Sequence, residues 1–414
     1  SHNSHAASQN RTVADNTFGV QADYSHEFDN GSVLTAMADY MHSGLKSPST
    51  ALRSAPLSDL GLPGAAPFTV ATLDRAQKQN IDAFAASVAY STHNTPVALS
   101  ATAYVDHFAL GKDIVSPLDI IPESRFSPAR QTRFGLDASA SGKISGGAGY
   151  AFRLDAGFMD GRDRLTERTM GIIGLNPALT FSYSHINARL GARMDISVNS
   201  PDQTFHGSPD IYFGWQPSGR LGLYASLGGG ERFNTLRRLY NYSPFAPGAQ
   251  TFRNSFTPVD GRAGFVAGSF GGVTAEIYVR YCAARRLPMP VLTDQGLSFE
   301  LTNLSGWSAG LRLDYTFSDK IKAGAYADFY PHSYASGVPD ALDRASVCAG
   351  MSVSVLVMQD LTLDASYDFR GGRRYYARTI SEQVFGMGMC NVSDLSIGAD
   401  YRFSSALSAG LRLE

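Results

Sequence analysis

Charged side chains in this sequence recur at even spacings. Arg153 and Asp155, Arg193 and Asp195, Arg312 and Asp314, and Asp400 and Arg402 stand two apart with opposite signs. Arg189 stands four before Arg193, Glu276 four before Arg280, and Asp364 four before Asp368. Even steps place side chains on one face of an extended strand. Guanidinium and carboxylate on a shared face can brace a wall with fork-shaped ion pairs, or hold the polar groups of a solute. The signs are mixed, which favours the bracing network, because a pore selective for ions of one sign shows a bias in its lining. Only six of the 35 cations are Lys, so fixed, always-charged Arg carries almost all the positive charge.

Other chemistry finds little support. His42, His107, His206 and His332 fall near strand ends, but nothing spaces them with Asp or Ser as a triad or an acid/base pair. We therefore expect no catalytic residues, no cofactor and no enzymatic activity. The three cysteines, Cys282, Cys348 and Cys390, are odd in number and far apart, with no CxxC, so neither a disulfide framework nor a metal site is expected. A net charge of -2 gives no basic footprint for nucleic acid.

The elements that carry these charges read as strands nearly everywhere. In residues 361–370, Leu361, Leu363, Ala365, Tyr367 and Phe369 alternate with Thr362, Asp364, Ser366, Asp368 and Arg370. Residues 186–198, 307–317 and 395–403 repeat the pattern, one apolar and one ionic face each. Short polar turns punctuate the alternation at Asp29-Asn30-Gly31, His93-Asn94-Thr95, Ser141-Gly142-Lys143, Ser184-His185, Pro217-Ser218-Gly219, Gly271-Gly272, Ser318-Asp319-Lys320, Gln359-Asp360 and Ser404-Ser405. Nine hairpins predict about 18 strands. Longer connections rich in Pro, Gly and Ser lie between them, at 46–74, 112–127, 235–257 and 331–343.

Short turns at one end and long loops at the other are the mark of a transmembrane antiparallel β-barrel, all-β, with the whole of residues 1–414 as one domain. The longest uncharged stretch, residues 169–188, contains Asn176, Pro177 and His185 and is no spanning helix. Apolar-face aromatics crowd the positions just before the short turns: Phe28, Tyr90, Tyr183, Trp215, Phe270, Phe317 and Phe403. Such rings prefer the headgroup level of a bilayer, so they are expected to form a girdle. Tyr40, Phe158, Phe329 and Phe369 would form the matching loop-side set. The charges named above, Arg153, Asp155, Arg189, Arg193, Asp195, Glu276, Arg280, Arg312, Asp314, Asp364, Asp368, Asp400 and Arg402, would then face the lumen.

In lipid, each backbone polar group needs a protein partner, so the sheet must close. Strand parity puts the first and last strands open toward the loop side, which predicts further strands and a complete barrel of 20–22. Two loop segments carry unusual chemistry. The run 237–245 (RRLYNYSPF) could fold into the lumen or bind a partner, and the basic aromatic run 370–378 (RGGRRYYAR) reads as an outer loop tip able to meet lipid phosphates or an anion.

The stretches 233–248 (FNTLRRLYNYSPFAPG) and 256–268 (FTPVDGRAGFVAG), with the ending 387–414 (MGMCNVSDLSIGADYRFSSALSAGLRLE), resemble a family of plug-less outer-membrane barrels of Bacteroidota, themselves similar to the barrel part of TonB-dependent receptors. The resemblance implies an outer-membrane location and about 22 strands, and it transfers no ligand or catalytic residue. Unlike TonB-dependent receptors with a globular plug, this sequence alternates from about Thr12. The expectation is an outer-membrane barrel of a Gram-negative bacterium, with long loops extracellular and short turns periplasmic. It would sit in membrane lipid and lipopolysaccharide and pass a solute; contact with other outer-membrane proteins or surface lipoproteins fits the same location. The alternative is a non-catalytic accessory or structural subunit of an outer-membrane complex.

Overall fold

The computed structural model describes residues 2–7, 11–47, 77–92, 95–111, 129–162, 167–198, 204–242, 253–293, 296–318, 320–330, 334–335, 345–378, 384–388, 391–404 and 407–413. In chain order the first strands are β1 (His2–Ala7), β2 (Arg11–Glu27), β3 (Val33–Ser47), β4 (Gln77–Ser91), β5 (Val97–Leu110), β6 (Ala129–Ser145), β7 (Ala148–Arg162), β8 (Glu167–Tyr183), β9 (Ile186–Val198), β10 (Phe205–Ser218) and β11 (Leu221–Arg232). A short helix, α1 (Leu236–Tyr242), follows. Then come β12 (Ser255–Phe270), β13 (Val273–Thr293), β14 (Gly296–Ser318), β15 (Ile321–Phe329), β16 (Tyr334–Ala335), β17 (Val347–Met358), β18 (Leu361–Gly371), β19 (Arg374–Arg378), β20 (Val384–Gly388), β21 (Val392–Ser404) and β22 (Leu407–Leu413).

All 22 segments belong to one sheet. β1, β16, β19 and β20, of two to six residues, are appendages. The remaining 18 form an antiparallel meander in which each wall strand pairs with the next, through β15–β17 and β18–β21. Among the described residues no ladder joins β22 back to β2.

Glycine pairs set two of the tight hairpins. Gly271 and Gly272 both have positive φ, 61° and 88°, as a two-residue turn matched to strand twist requires. The turn expected at Ser141-Gly142-Lys143 instead falls at Gly146-Gly147, with φ of 58° and 85°. Ser141, Gly142 and Lys143 stay in the ladder opposite Ala151, Tyr150 and Gly149. Two consecutive glycines free to take the left-handed region outcompete a single one. The run 370–378 is also not a bare tip: Arg374–Arg378 pairs with β20 and runs parallel to Val291–Thr293 of the tall β13–β14 hairpin.

The registers carry the polar faces around the wall. One row passes from Asp137 to Asp155, Gly174, Asp195 and His206 across β6–β10. Another passes from Arg262 to Arg280 and Ser308. Their neighbours on the opposite face, such as Leu190, Phe213, Ile277, Leu311 and Leu363, are exposed apolar side chains.

Which face is concave follows from α1. It lies between β11 and β12, yet Leu236 and Leu239 pack with Ile81 and Ala83 of β4, Phe108 and Leu110 of β5, and Ala129 of β6. Met41 of β3 and Phe299 of β14 border the same cluster. Strands that far apart in the meander converge only on the inside of a curved sheet. Asp106 and Gln131 share the face of Phe108 and Ala129, so the polar face is the inner one.

Candidate solute path

Burial inside the wall needs satisfied charges, and the inner face supplies them in sectors. Arg153 donates from Nε to Asp155 at 2.9 Å and from Nη2 to Asp137 at 2.9 Å. Arg193 donates from Nε to Asp195 at 2.9 Å and lies 3.0 Å from Asp155 through Nη1. Asp195, fully buried, also accepts the backbone N–H of Glu231 at 2.9 Å. Gly174 makes room for this hub: a Cβ there would stand 2.7 Å from Asp195 Oδ1 and 3.0 Å from Arg193 Nη2. Arg189 pairs with Asp210 at 2.6 Å, and Arg280 with Asp260 at 2.6 Å. Arg262 donates to Glu276 at 2.6 Å.

The other charges named from the sequence occupy the same face without such pairing. Arg312 lies 5.6 Å from the Tyr278 ring centre. Asp314 stands opposite Thr274 and Gly324, Asp364 opposite Ser354 and Gly398, Asp368 opposite Gly350 and Asp394, and Asp400 opposite Thr362. Arg402 stands opposite Ser408. Among the described residues no ion pair joins Asp314, Asp364, Asp400 or Arg402. The paired charges thus cluster mostly on β5–β13, while β14–β21 presents small side chains, open carboxylates, Lys322 and one ion pair, Arg370 with Asp394 at 3.3 Å.

A recurrent device was not foreseen. Tyr278 of β13 crosses Gly310 of β14 to donate to Asp328 of β15. Tyr326 of β15 crosses Gly350 of β17 to donate to Asp368 of β18. Tyr224 of β11 lies over Gly264 of β12 and donates to Glu276 of β13. A Cβ on Gly310 would come within 2.3 Å of Asp328 Oδ1, and one on Gly350 within 2.5 Å of the Tyr326 ring. The glycine in each middle strand is the only residue that leaves the tyrosine a path.

Across this wall lies the segment with α1. Thr235 caps the helix, its Oγ1 accepting the Arg238 N–H at 3.2 Å. The Leu236 N–H donates to Gln131 Oε1 at 2.9 Å, Arg237 reaches Asp106 at 3.3 Å, and the Tyr240 ring lies 5.7 Å from that of Phe108. At the base, Asn234 donates to the carbonyls of Arg253 at 2.6 Å and Arg286 at 3.3 Å. Arg286 sits in a bulge with φ of 56°, which turns that carbonyl inward. Buried Glu231 faces His206 at 3.6 Å and Arg286 at 3.7 Å.

Next to the segment's base is a recess of about 610 Å³ bounded by Asp210, Tyr212, Gly228, Gly229, Arg232, Asp260, Arg262, Tyr278, Arg280, Arg312 and Asp328, among others.

Of the histidines, His42 lies 2.8 Å from Asp82 and His107 2.8 Å from Thr132, both on the outer face near the loop end; His206 is the one beside Glu231. His332 and Cys390 lie outside the described residues. Cys282 and Cys348 lie half-buried on the inner face. Phe28, Tyr90, Tyr183, Trp215, Phe317 and Phe403 are exposed, Tyr183 by 76%. The side chain of Phe270 lies outside the described residues. Among the described residues no helix is long and apolar enough to cross a membrane.

No family model matches the chain, and no curated protein matches it in sequence. Solved structures do match. The ferric enterobactin receptor PfeA of Pseudomonas aeruginosa aligns with 99% of this chain at a TM-score of 0.63 and 11% identity. The FrpB iron transporter of Neisseria meningitidis aligns with 94% at 0.62 and 10% identity. The siderophore receptor PirA of Acinetobacter baumannii aligns with 95% at 0.57 and 10% identity. The chain spans 65–66% of the length of those receptor chains. The likeness is one of fold alone: this chain is an antiparallel transmembrane β-barrel whose sheet resembles the barrels of these receptors.

Proposed function

We propose that this barrel sits in the outer membrane of a Gram-negative bacterium and passes a solute along its inner face. The observation that carries this reading is the pairing of faces: an outer face of exposed Leu, Ile, Val and aromatic side chains backs onto an inner face of Arg, Asp, Ser and Tyr. Lipid solvates the first and water the second. Phe28, Tyr90, Tyr183, Trp215, Phe317 and Phe403 would ride at the headgroup level beside the short turns, which would face the periplasm. Membrane lipid and lipopolysaccharide are the partners this surface fits. The structural neighbours are receptors and an iron transporter, which supports passage rather than catalysis. The Arg153–Asp155–Arg193–Asp195 hub would hold the wall rigid, and α1 would set the bore.

One observation favours a second reading, an accessory subunit with a closed interior. The β11–β12 segment crosses the inside and buries Leu236 and Leu239 against the far wall. Reconstitution of folded protein into planar bilayers separates the two: single-channel steps support passage, and silence of the folded protein supports the accessory role.

A further inference from the structure

The recess beside the base of the α1 segment combines three features. First, its carboxylates are engaged: Asp210 by Arg189, Asp260 by Arg280, and Asp328 by the Tyr278 hydroxyl. Second, of the guanidiniums that border it, Arg280 is engaged by Asp260, while Arg312, exposed on the inner face opposite Glu276, forms no ion pair among the described residues. A third, Arg262, spends one nitrogen on Glu276 and lies with its guanidinium carbon 3.8 Å from the Tyr278 ring centre, while its Nε is buried without a hydrogen-bond partner. Third, the wall itself opens here. The β11–β12 ladder slips between Gly228 and Gly230, and a Cβ on Gly228 would meet nothing within 4 Å. A bulge leaves backbone groups out of the ladder, where a ligand can reach them.

We propose that this recess is a binding station for the oxyanion groups, carboxylate or phosphate, of the solute that passes through the barrel. Guanidinium forks match both groups in geometry, and Gly228, with open space where a side chain would stand, lets the ligand approach the backbone. The chain carries a net charge of -2, so its overall field repels anions and any affinity for them must be local. A neighbouring tyrosine, Tyr212, bounds the recess and offers a ring for the apolar body of the solute. The site rests on the reading that a solute enters the interior.

The test is equilibrium binding of citrate and of inorganic pyrophosphate to the full chain, folded in detergent micelles at low ionic strength, with maltose as a neutral control. The wild type is expected to bind at least one of the two oxyanions saturably and maltose not at all. Arg312→Gln removes the guanidinium that no ion pair holds, and Gly228→Val fills the notch while leaving every charge in place. Each is expected to weaken binding at least tenfold, with Ser100→Ala on β5, outside the recess, behaving as wild type. Citrate alone binding would assign carboxylates and pyrophosphate alone phosphates. Binding of neither anion by the wild type would overturn the proposal, as would unchanged affinity in the charge variant or in folded Gly228→Val. The assay needs no conduction. A barrel that binds but stays silent in bilayers sinks the passage reading alone; one that conducts but binds neither anion sinks the station alone.

Discussion

Glycines on the inner face do structural work that composition does not reveal. Gly310 and Gly350 each lie under a tyrosine that spans two ladders to reach a carboxylate, so adding side-chain atoms there displaces the ring or the acid. Overpacking of this kind costs typically about 1–3 kcal/mol. We expect Gly350→Val to lower the midpoint of urea unfolding in lipid vesicles accordingly, while Gly207→Ala, whose Cβ would meet nothing within 4 Å, leaves it unchanged. Equal midpoints for the two variants would mean that the tyrosine bridge does not stabilise the wall. The ion pairs were partly legible: the even spacing of Arg153, Asp155, Arg193 and Asp195 put them on one face. The bridges were not, because a diagonal from β13 to β15 depends on two registers, and no single strand records a register.

Strands were the easiest elements to read, since period-two alternation fixes both the extended conformation and the face. Leu190, Leu363 and Ala399 fall on the outer face and Asn187 and Ser366 on the inner one, as the alternation required. An Arg at Leu363 or Leu190 near the bilayer midplane is expected to cost about 2–4 kcal/mol in folding into lipid vesicles, whereas Ser366→Asn costs far less. Equal penalties on both faces would contradict the assigned faces. Irregular elements were read less well. The connection 235–257 was expected as a loop with the option of folding inward, but nothing local in RRLYNY says that its leucines find partners on β4–β6. Those partners, Ile81, Ala83, Phe108, Leu110 and Ala129, are the sequence's hint: they place apolar side chains on a face that is otherwise polar. Leu239, 1% exposed, anchors this contact. Leu239→Asp is therefore expected to release α1 without unfolding the wall, seen as new protease cleavage near residue 240 with the heat-modifiable gel shift of the barrel retained. Protection identical to wild type would contradict the anchoring role.

At the scale of the whole molecule, an inner face of charge and hydroxyl, an outer face of hydrocarbon and a segment laid across the inside define a narrowed path. The sectors differ: most of the paired charges stand on β5–β13, while Ser352, Ser354, Ser366 and Ser396 line the β17–β21 side next to Asp364. A solute would pass between these two sides, with α1 and the Arg237–Asp106 contact limiting its size. The direct measurement is single-channel current through the folded protein in planar bilayers, comparing wild type with the double variant Arg237→Ala, Leu239→Ala. The account predicts that wild type gives small steps and that the variant, with its inward segment loosened, gives distinctly larger ones. Silence from both proteins, or steps of equal size in the two, would contradict a path constricted by the α1 segment.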